Sequence, residues 1–380
     1  MDFSKKAVAL HKKKRGKIEI RAKVPLKTKN DLSIAYTPGV AEVCREIGRD
    51  KKKSWTLTNR ANQVAIVTDG TAILGLGNLG PEAAMPVMEG KSIIFKEFAG
   101  IDAIPLCVGS TLVEDIVKFC KLIEPSFGGI NLEDISAPRC FEILEKLEKE
   151  LSIPVFHDDQ DGTAIVVLAA LINACRVTGK VMNELKVTIS GAGAAGISIA
   201  NLLLAQGVKK ISLVDSKGMV CQNRTDLNSA KRAIAEKINA KKCQGSLADA
   251  LKGADVFIGV SQPNLVNVEM VRSMNKGPII FAMANPKPEI MPEVAAAAGA
   301  AIVGTGRSDY PNQVNNALVF PGIFRGLLDG HIKLVTTKMK IAAALAVAYS
   351  VKPRRDKILP SVLDKKVVGA IAKAIIKNKI

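Results

Sequence analysis

The stretch KVTISGAGAAGISIANLLLAQGVKKISLVD, residues 186–215, decides the fold. It opens on the β-branched run Lys186–Ser190, which reads as a strand, and turns through Gly191-Ala192-Gly193-Ala194-Ala195-Gly196. An apolar helix to Gln206 follows, then a second strand over Lys210–Val214 that ends at Asp215. A Gly-x-Gly-x-x-Gly match gains meaning only between a strand and a helix, which is where this one lies. Gly191 permits the tight turn, Gly193 lets backbone amides approach a pyrophosphate, and Gly196 allows close helix–strand packing. The helix N-terminus offers its positive dipole end to phosphates. Asp215 lies about 20 residues past the loop, where an acid accepts hydrogen bonds from an adenosine ribose. An acid there favours NAD by repelling a 2′-phosphate, while Lys217 is near enough in sequence to reach one, so NADP stays open.

Downstream, strands are expected at Val256–Val260, Ile279–Met283 and Ala301–Val303, and Ser246–Asp249 has the form of a capping box. This succession predicts a doubly wound parallel sheet of the Rossmann type. Upstream, Gln63–Thr68 and Ile104–Val108 read as buried strands, with helices over Thr111–Leu122 and Cys140–Leu151. The fold class is therefore α/β, with two domains. An N-terminal α/β substrate domain over residues 1–155 precedes a dinucleotide-binding domain with C-terminal helices over 156–380. The polar break Pro154–Asp161 and the apolar helix Thr163–Thr178 mark the junction.

Composition removes several function classes. The 380 residues are 48% hydrophobic and 24% charged, within the range of globular proteins. No unbroken apolar run is long enough to span a bilayer, and Ala164–Ala174 and Ile341–Ala348 read as buried helices. Seven scattered cysteines without a Cys-x-x-Cys pair give neither a zinc site nor a disulfide framework, and lysines interrupt any N-terminal apolar core, so a cytoplasmic location is expected. A net charge of +18 raises the idea of nucleic acid binding. Against it, the lysine clusters are short and dispersed, and one Trp and three Tyr supply few stacking platforms. A lysine-rich surface is the simpler reading.

Four segments carry more functional groups than structural loops need: Tyr36–Ala41, Val67–Gly80 with Glu89-Gly90-Lys91, Asn131–Asp134, and Phe156–Thr163. Glu133, Asp134, Asp158, Asp159 and Asp161 form two acidic clusters a helix-length apart, and a strand–helix–strand passage could bring both to one sheet edge. Such oxygen donors suit Mg²⁺ or Mn²⁺ rather than zinc, although solvated loop acids would have the same spacing. His157 reads as structural, and Gly75–Gly80 as a tight packing turn.

Together these segments resemble the malic enzyme family in its short bacterial form. The resemblance runs from Lys17-Ile18-Glu19 to Phe320-Pro321-Gly322 and includes Tyr36–Val40, Asp69–Gly80, Glu89–Lys91, Glu133-Asp134, Asp158–Thr163, Ala284-Asn285-Pro286 and Asn315-Asn316. It implies oxidative decarboxylation of malate to pyruvate and CO₂ with reduction of NAD or NADP, in a homodimer or higher homo-oligomer without nucleic acid or membrane partners. It implies that Glu133, Asp134 and Asp159 bind the metal. Lys91 would take the C2 hydroxyl proton, Tyr36 would protonate C3, and Asp158 would tune Lys91. Asn285 and Asn316 would hold malate and the nicotinamide side. A lysine serves as base near neutrality only if its surroundings lower its pKa. Two departures stand out: Ala72 where the eukaryotic enzymes carry a carboxylate-gripping arginine, and Asp161 where another polar residue is usual. A simple NAD-linked hydroxy-acid dehydrogenase is the alternative within enzymes.

Overall fold

In the computed structural model, which describes residues 3–238 and 245–379, ten strands form two sheets. The first contains β1 (Gln63–Thr68), β2 (Asp102–Cys107), β3 (Gly129–Leu132) and β4 (Val155–His157), all parallel, in the order β2-β1-β3-β4. The second contains β5 (Lys186–Ser190), β6 (Lys210–Asp215), β7 (Gly218–Met219), β8 (Val256–Gly259), β9 (Ile279–Ala282) and β10 (Ile302–Thr305). Its order is β10-β9-β8-β5-β6-β7, and only β7 runs antiparallel. Five residues of β1 in succession are buried, as expected where helices cover both faces of a parallel sheet.

The helix Thr163–Thr178 joins the two sheets, and Ala164 through Cys175 are buried without a break. A polar face would be wasted there, which explains its unpatterned Ala, Val, Leu and Ile. With the π-helical turn Asp158–Gly162 it forms an apolar stretch as long as a membrane span, but most of it lies inside the protein. The main hydrophobic core runs through it, from Val64 and Ile66 of the first sheet to Ile189 and Ile258 of the second. The chain then returns to its beginning: Phe324, on the helix Phe320–Asp329, stacks edge-on against both Phe95 and Phe156. The division expected between residues 155 and 156 falls inside β4.

The strands expected from sequence are present with ends shifted by up to two residues, and Ser246 and Asp249 form the capping box. The strand–helix–strand passage suggested for the two acidic clusters is present as β3, the helix Arg139–Glu150 and β4, although the sequence gives neither strand its bounds. At four and three residues they are too short to carry a period. Among the described residues, Cys44, Cys107, Cys120, Cys140 and Cys175 are free thiols.

Candidate active site

Parallel pairing of β3 with β4 sets Leu132 beside His157, so the residues that follow each strand emerge at the same sheet edge. Those residues are Glu133-Asp134 and Asp158-Asp159. One carboxylate oxygen from each of Glu133, Asp134 and Asp159 lies within 4.8 Å of the other two. Asp134 adopts a left-handed backbone (φ 52°), which Asp tolerates better than most residues. Its amide donates to Asp159 Oδ2 at 2.9 Å, and its carbonyl accepts from the Ala72 amide at 2.9 Å. Arg139 braces the preceding loop by donating to Asp69 Oδ2 at 2.7 Å and to Thr71 Oγ1 at 2.9 Å.

Lys91 enters from the helix Pro81–Ala99. Its ammonium contacts Asp158 Oδ2, lies 2.8 Å from Glu133 Oε1, and sits 4.5 Å above the Phe320 ring. Burial by itself pulls the Lys91 pKa down, but the charges of Asp158, Glu133 and Asp159 outweigh it and hold the amine above its ordinary value. The depressed lysine expected for a base is therefore absent while those carboxylates are uncompensated. The acids respond in kind. Burial, then like charge, pushes Asp134 up to about 7 and raises Glu133, and burial lifts Asp158 to about 6. Asp134 Oδ2 and Asp158 Oδ1 are buried without a hydrogen-bond partner. Orphaned buried oxygens within a hard-donor cluster fit a divalent cation.

Lys91, Glu133, Asp134 and Asp159 line a cavity of about 420 Å³ shared with Ala72, Gly75, Ala195, Ser261, Asn285 and Asn316, with Asp158 buried behind Lys91. Both sequence-expected asparagines are thus present, joined by Asn315. Gly75 belongs to the cavity wall, because a Cβ there would lie 2.5 Å from the Asn285 carbonyl. Tyr36 does not reach this cavity; it is 68% exposed, on a segment outside the core. His157 is fully buried and kept neutral by burial, as expected of a structural residue. Asp161 faces away and pairs with Lys340 at 2.7 Å, on the helix Thr337–Tyr349. That pairing gives it a structural role.

A second cavity, of about 980 Å³, meets the first at Ser261 and is lined by Gly191, Ala192, Gly193, Asp215, Lys217 and Lys231, among others. A Cβ on Gly196 would lie 1.7 Å from the Gly191 carbonyl, so only glycine lets the helix start that close to β5, while nothing crowds Gly193. Gly196 and Ala194 serve packing rather than lining; Ala194 rests on the core of the first sheet.

Asp215 is where sequence reasoning fell short. Its Oδ1 accepts from the Lys217 amide (2.9 Å) and Arg224 (2.8 Å), and its Oδ2 from Arg224 (3.2 Å) and Lys231 (2.6 Å). Burial would raise its pKa, but the bonds from Arg224 and Lys231 win and hold it below the usual carboxylate range. The Lys217 side chain turns instead to Asp226, at 3.0 Å. Glu289 was also missed. Fully buried, it accepts from the Ser261 and Ala284 amides at 3.0 Å each and fixes two cavity walls. No motif marks Arg224, Lys231 or Glu289; only the tertiary structure brings them in.

Comparison with known proteins agrees with this geometry. The family description "Malic enzyme, NAD binding domain" matches residues 160–380, and "Malic enzyme, N-terminal domain" matches residues 15–111 and 109–148. The bifunctional malic/malolactic enzyme of Bacillus subtilis (strain 168) is 54% identical over 99% of this chain and 93% of its own length. An NADP-dependent malic enzyme of Escherichia coli (strain K12) is 46% identical over 91% of this chain, which spans about half (46%) of that protein. The crystal structure of the NAD-dependent malic enzyme from Thermotoga maritima superposes with a TM-score of 0.94 at 48% identity, covering 98% of this chain and 99% of the other. With carboxylate cluster, lysine and dinucleotide loop set in one cleft, the chain belongs to the malic enzyme family.

Proposed function

We propose that this chain converts malate and NAD(P)⁺ to pyruvate, CO₂ and NAD(P)H with Mg²⁺ or Mn²⁺ held by Glu133, Asp134 and Asp159. The observation that carries the reading is Lys91, fixed between Asp158 and Glu133 in a cavity that also holds the carboxylate triad and continues into the dinucleotide cleft. When bound, the dinucleotide supplies a hydride acceptor and the cation a Lewis acid for the C2 oxygen.

The residues do the rest. Asn285, Asn315 and Asn316 present amides to the substrate carboxylates. A cation held by Glu133 and Asp159 would offset two of the charges that raise Lys91 and so shift the buried amine toward its neutral form. Lys91 Nζ then takes the C2 hydroxyl proton as the C2 hydrogen departs as hydride. The bond from C3 to the leaving carboxylate breaks, its electrons form the enolate of pyruvate, and an acid returns a proton to C3. The family resemblance assigns that step to Tyr36, which stands outside the cavity of its own chain. Asp158 holds the Lys91 amine in place before and after it takes the proton, and Glu289 keeps Ser261 and Ala284 in register at the nicotinamide end.

The test is purified protein with malate, Mn²⁺ and each nicotinamide cofactor. Equal amounts of pyruvate, CO₂ and reduced cofactor are expected. Oxaloacetate without CO₂ would restore the simple hydroxy-acid dehydrogenase, and no cofactor reduction would overturn the assignment.

A further inference from the structure

Asp159 stands in a turn of unusual geometry. Asp158–Gly162 closes as a single π-helical turn between β4 and the helix Thr163–Thr178, and one-turn widenings of this kind are frequent at functional sites. It aims Asp158 at the lysine and Asp159 at the triad. Gly162 makes room for this, because a Cβ there would lie 1.8 Å from Asp158 Oδ1. The other side chains of the turn are anchored elsewhere. Gln160 Nε2 donates to the Cys140 carbonyl at 3.3 Å, on the helix Arg139–Glu150.

Asp161 ties the turn on its other side. Its Oδ1 lies 2.7 Å from Lys340 Nζ, and the two side chains are only 11% and 19% exposed. Lys340 belongs to the helix Thr337–Tyr349, whose Met339, Ala343 and Ala344 share the main core with Ala164 to Leu171 of the helix that continues the turn. Glu148, on the helix Arg139–Glu150, approaches the same pair. Burial lifts its carboxyl above the ordinary value, Lys340 opposes the rise and Asp161 adds to it. An ion pair this buried often adds little net stability over an apolar replacement, so geometry is the better account of what it secures.

We propose that Lys340, acting through Asp161, is a positioning residue for the metal: the pair holds the Asp158–Gly162 turn so that Asp159 faces Glu133 and Asp134. Neither Lys340 nor Asp161 lines the substrate cavity, so neither touches the reacting atoms. Outer groups that orient metal ligands are worth roughly 10–100-fold in metal affinity. The inference rests on reading Glu133, Asp134 and Asp159 as the metal site. Geometry and charge predict opposite signs for Lys340. Removing its positive charge alone would favour a cation nearby, whereas releasing the turn would weaken binding.

Calorimetric titration of the full chain with Mn²⁺, without malate or cofactor, tests it. Lys340→Met and Asp161→Ala should each weaken Mn²⁺ binding by about tenfold, and the double variant no more than either alone. Asp161→Asn keeps an acceptor for the lysine without the charge, and should stay within about threefold of wild type. The Asp161 variants carry the test by themselves if Lys340→Met does not fold. In turnover, the Mn²⁺ concentration for half-maximal rate should rise in the two weakened variants, while kcat at saturating Mn²⁺ stays near wild type. Lys180→Met controls for lost stability. The Lys180–Asp255 pair is similarly close (2.9 Å) and similarly covered (18% and 16% exposed), but Asp255 precedes β8, at the sheet edge opposite the dinucleotide loop. Its loss should lower the urea midpoint and leave Mn²⁺ affinity unchanged. Tighter binding by Lys340→Met with weaker binding by Asp161→Ala would mean that charge alone acts, and unchanged affinity in both would mean a purely structural pair; either overturns the proposal. A wild type that binds no Mn²⁺ defeats the metal reading and the proposal with it, whereas a metal-binding wild type with indifferent variants defeats the proposal alone.

Discussion

Replacing Asp215 by Asn tests the adenosine end of the dinucleotide cleft, because it removes one charge at nearly constant shape. Asp215 is charged at neutral pH, since its pKa lies below the usual carboxylate range. Its two oxygens already accept four hydrogen bonds, from the Lys217 amide, Arg224 and Lys231. A carboxylate has about four acceptor positions, so an incoming ribose hydroxyl must compete for one. The ribose bond thus contributes little to choosing between cofactors, and charge decides. At roughly 6 Å and an effective dielectric of about 40, two unit charges repel by about 1.4 kcal/mol, and a phosphate near −2 doubles that. Asp215→Asn should therefore move the NADP to NAD ratio of kcat/KM upward by roughly 10–100-fold. Lys231→Ala should move it the other way by about tenfold, having removed a cation beside the same phosphate. Steady-state rates with both cofactors read the ratio, and NADH and NADPH fluorescence titrations read binding without turnover. A ratio within about twofold of wild type in both variants would refute the electrostatic argument.

Three further outcomes are expected. Lys91→Ala should slow malate oxidation by roughly 10²–10⁴-fold with unchanged circular dichroism, as loss of a positioned base does. Asp159→Asn should weaken Mn²⁺ binding measured by calorimetry while leaving NADH binding intact, and equal Mn²⁺ affinity in the variant would remove Asp159 from the metal site. Glu289→Gln should lower the unfolding free energy by about 1–3 kcal/mol, because the amide turns a donor toward one of the Ser261 and Ala284 N–H groups; urea midpoints check this.

The dinucleotide half was legible because its determinants are local. A strand, three glycines at fixed spacing and a helix occupy one continuous stretch, and steric demands at Gly191 and Gly196 act within it or on the adjacent β8 edge. The metal cluster was legible in kind from the spacing of its acids, and in membership only through the family resemblance, which names the three acids that the structure brings together. Spacing alone left five acids in two clusters; the pairing of β3 with β4 sets Glu133, Asp134 and Asp159 together, while Asp161 pairs with Lys340. Arg224 and Lys231 lie nine and sixteen positions beyond Asp215, with no motif to tie them to it. Tyr36 was recognisable through the family resemblance, but its own chain leaves it exposed and away from the cavity, which no local pattern foretells.

Glu133 connects the two halves of the chemistry. The same carboxylate touches the Lys91 ammonium at 2.8 Å and contributes to the triad, so the proton on the amine and a cation on the acids are coupled through one side chain. Glu133, Asp134, Asp158 and Asp159 could carry four negative charges against the single positive charge of Lys91. Without a cation the strain shows as raised acid pKa values, Asp134 to about 7 and Asp158 to about 6. A divalent ion compensates two of the four, and Lys91 a third while it remains protonated. Malate then adds two charges, and the amine must give up its proton to act as base. The remaining negative charge calls for cations beyond those lining the cavity, and Ala72 supplies none.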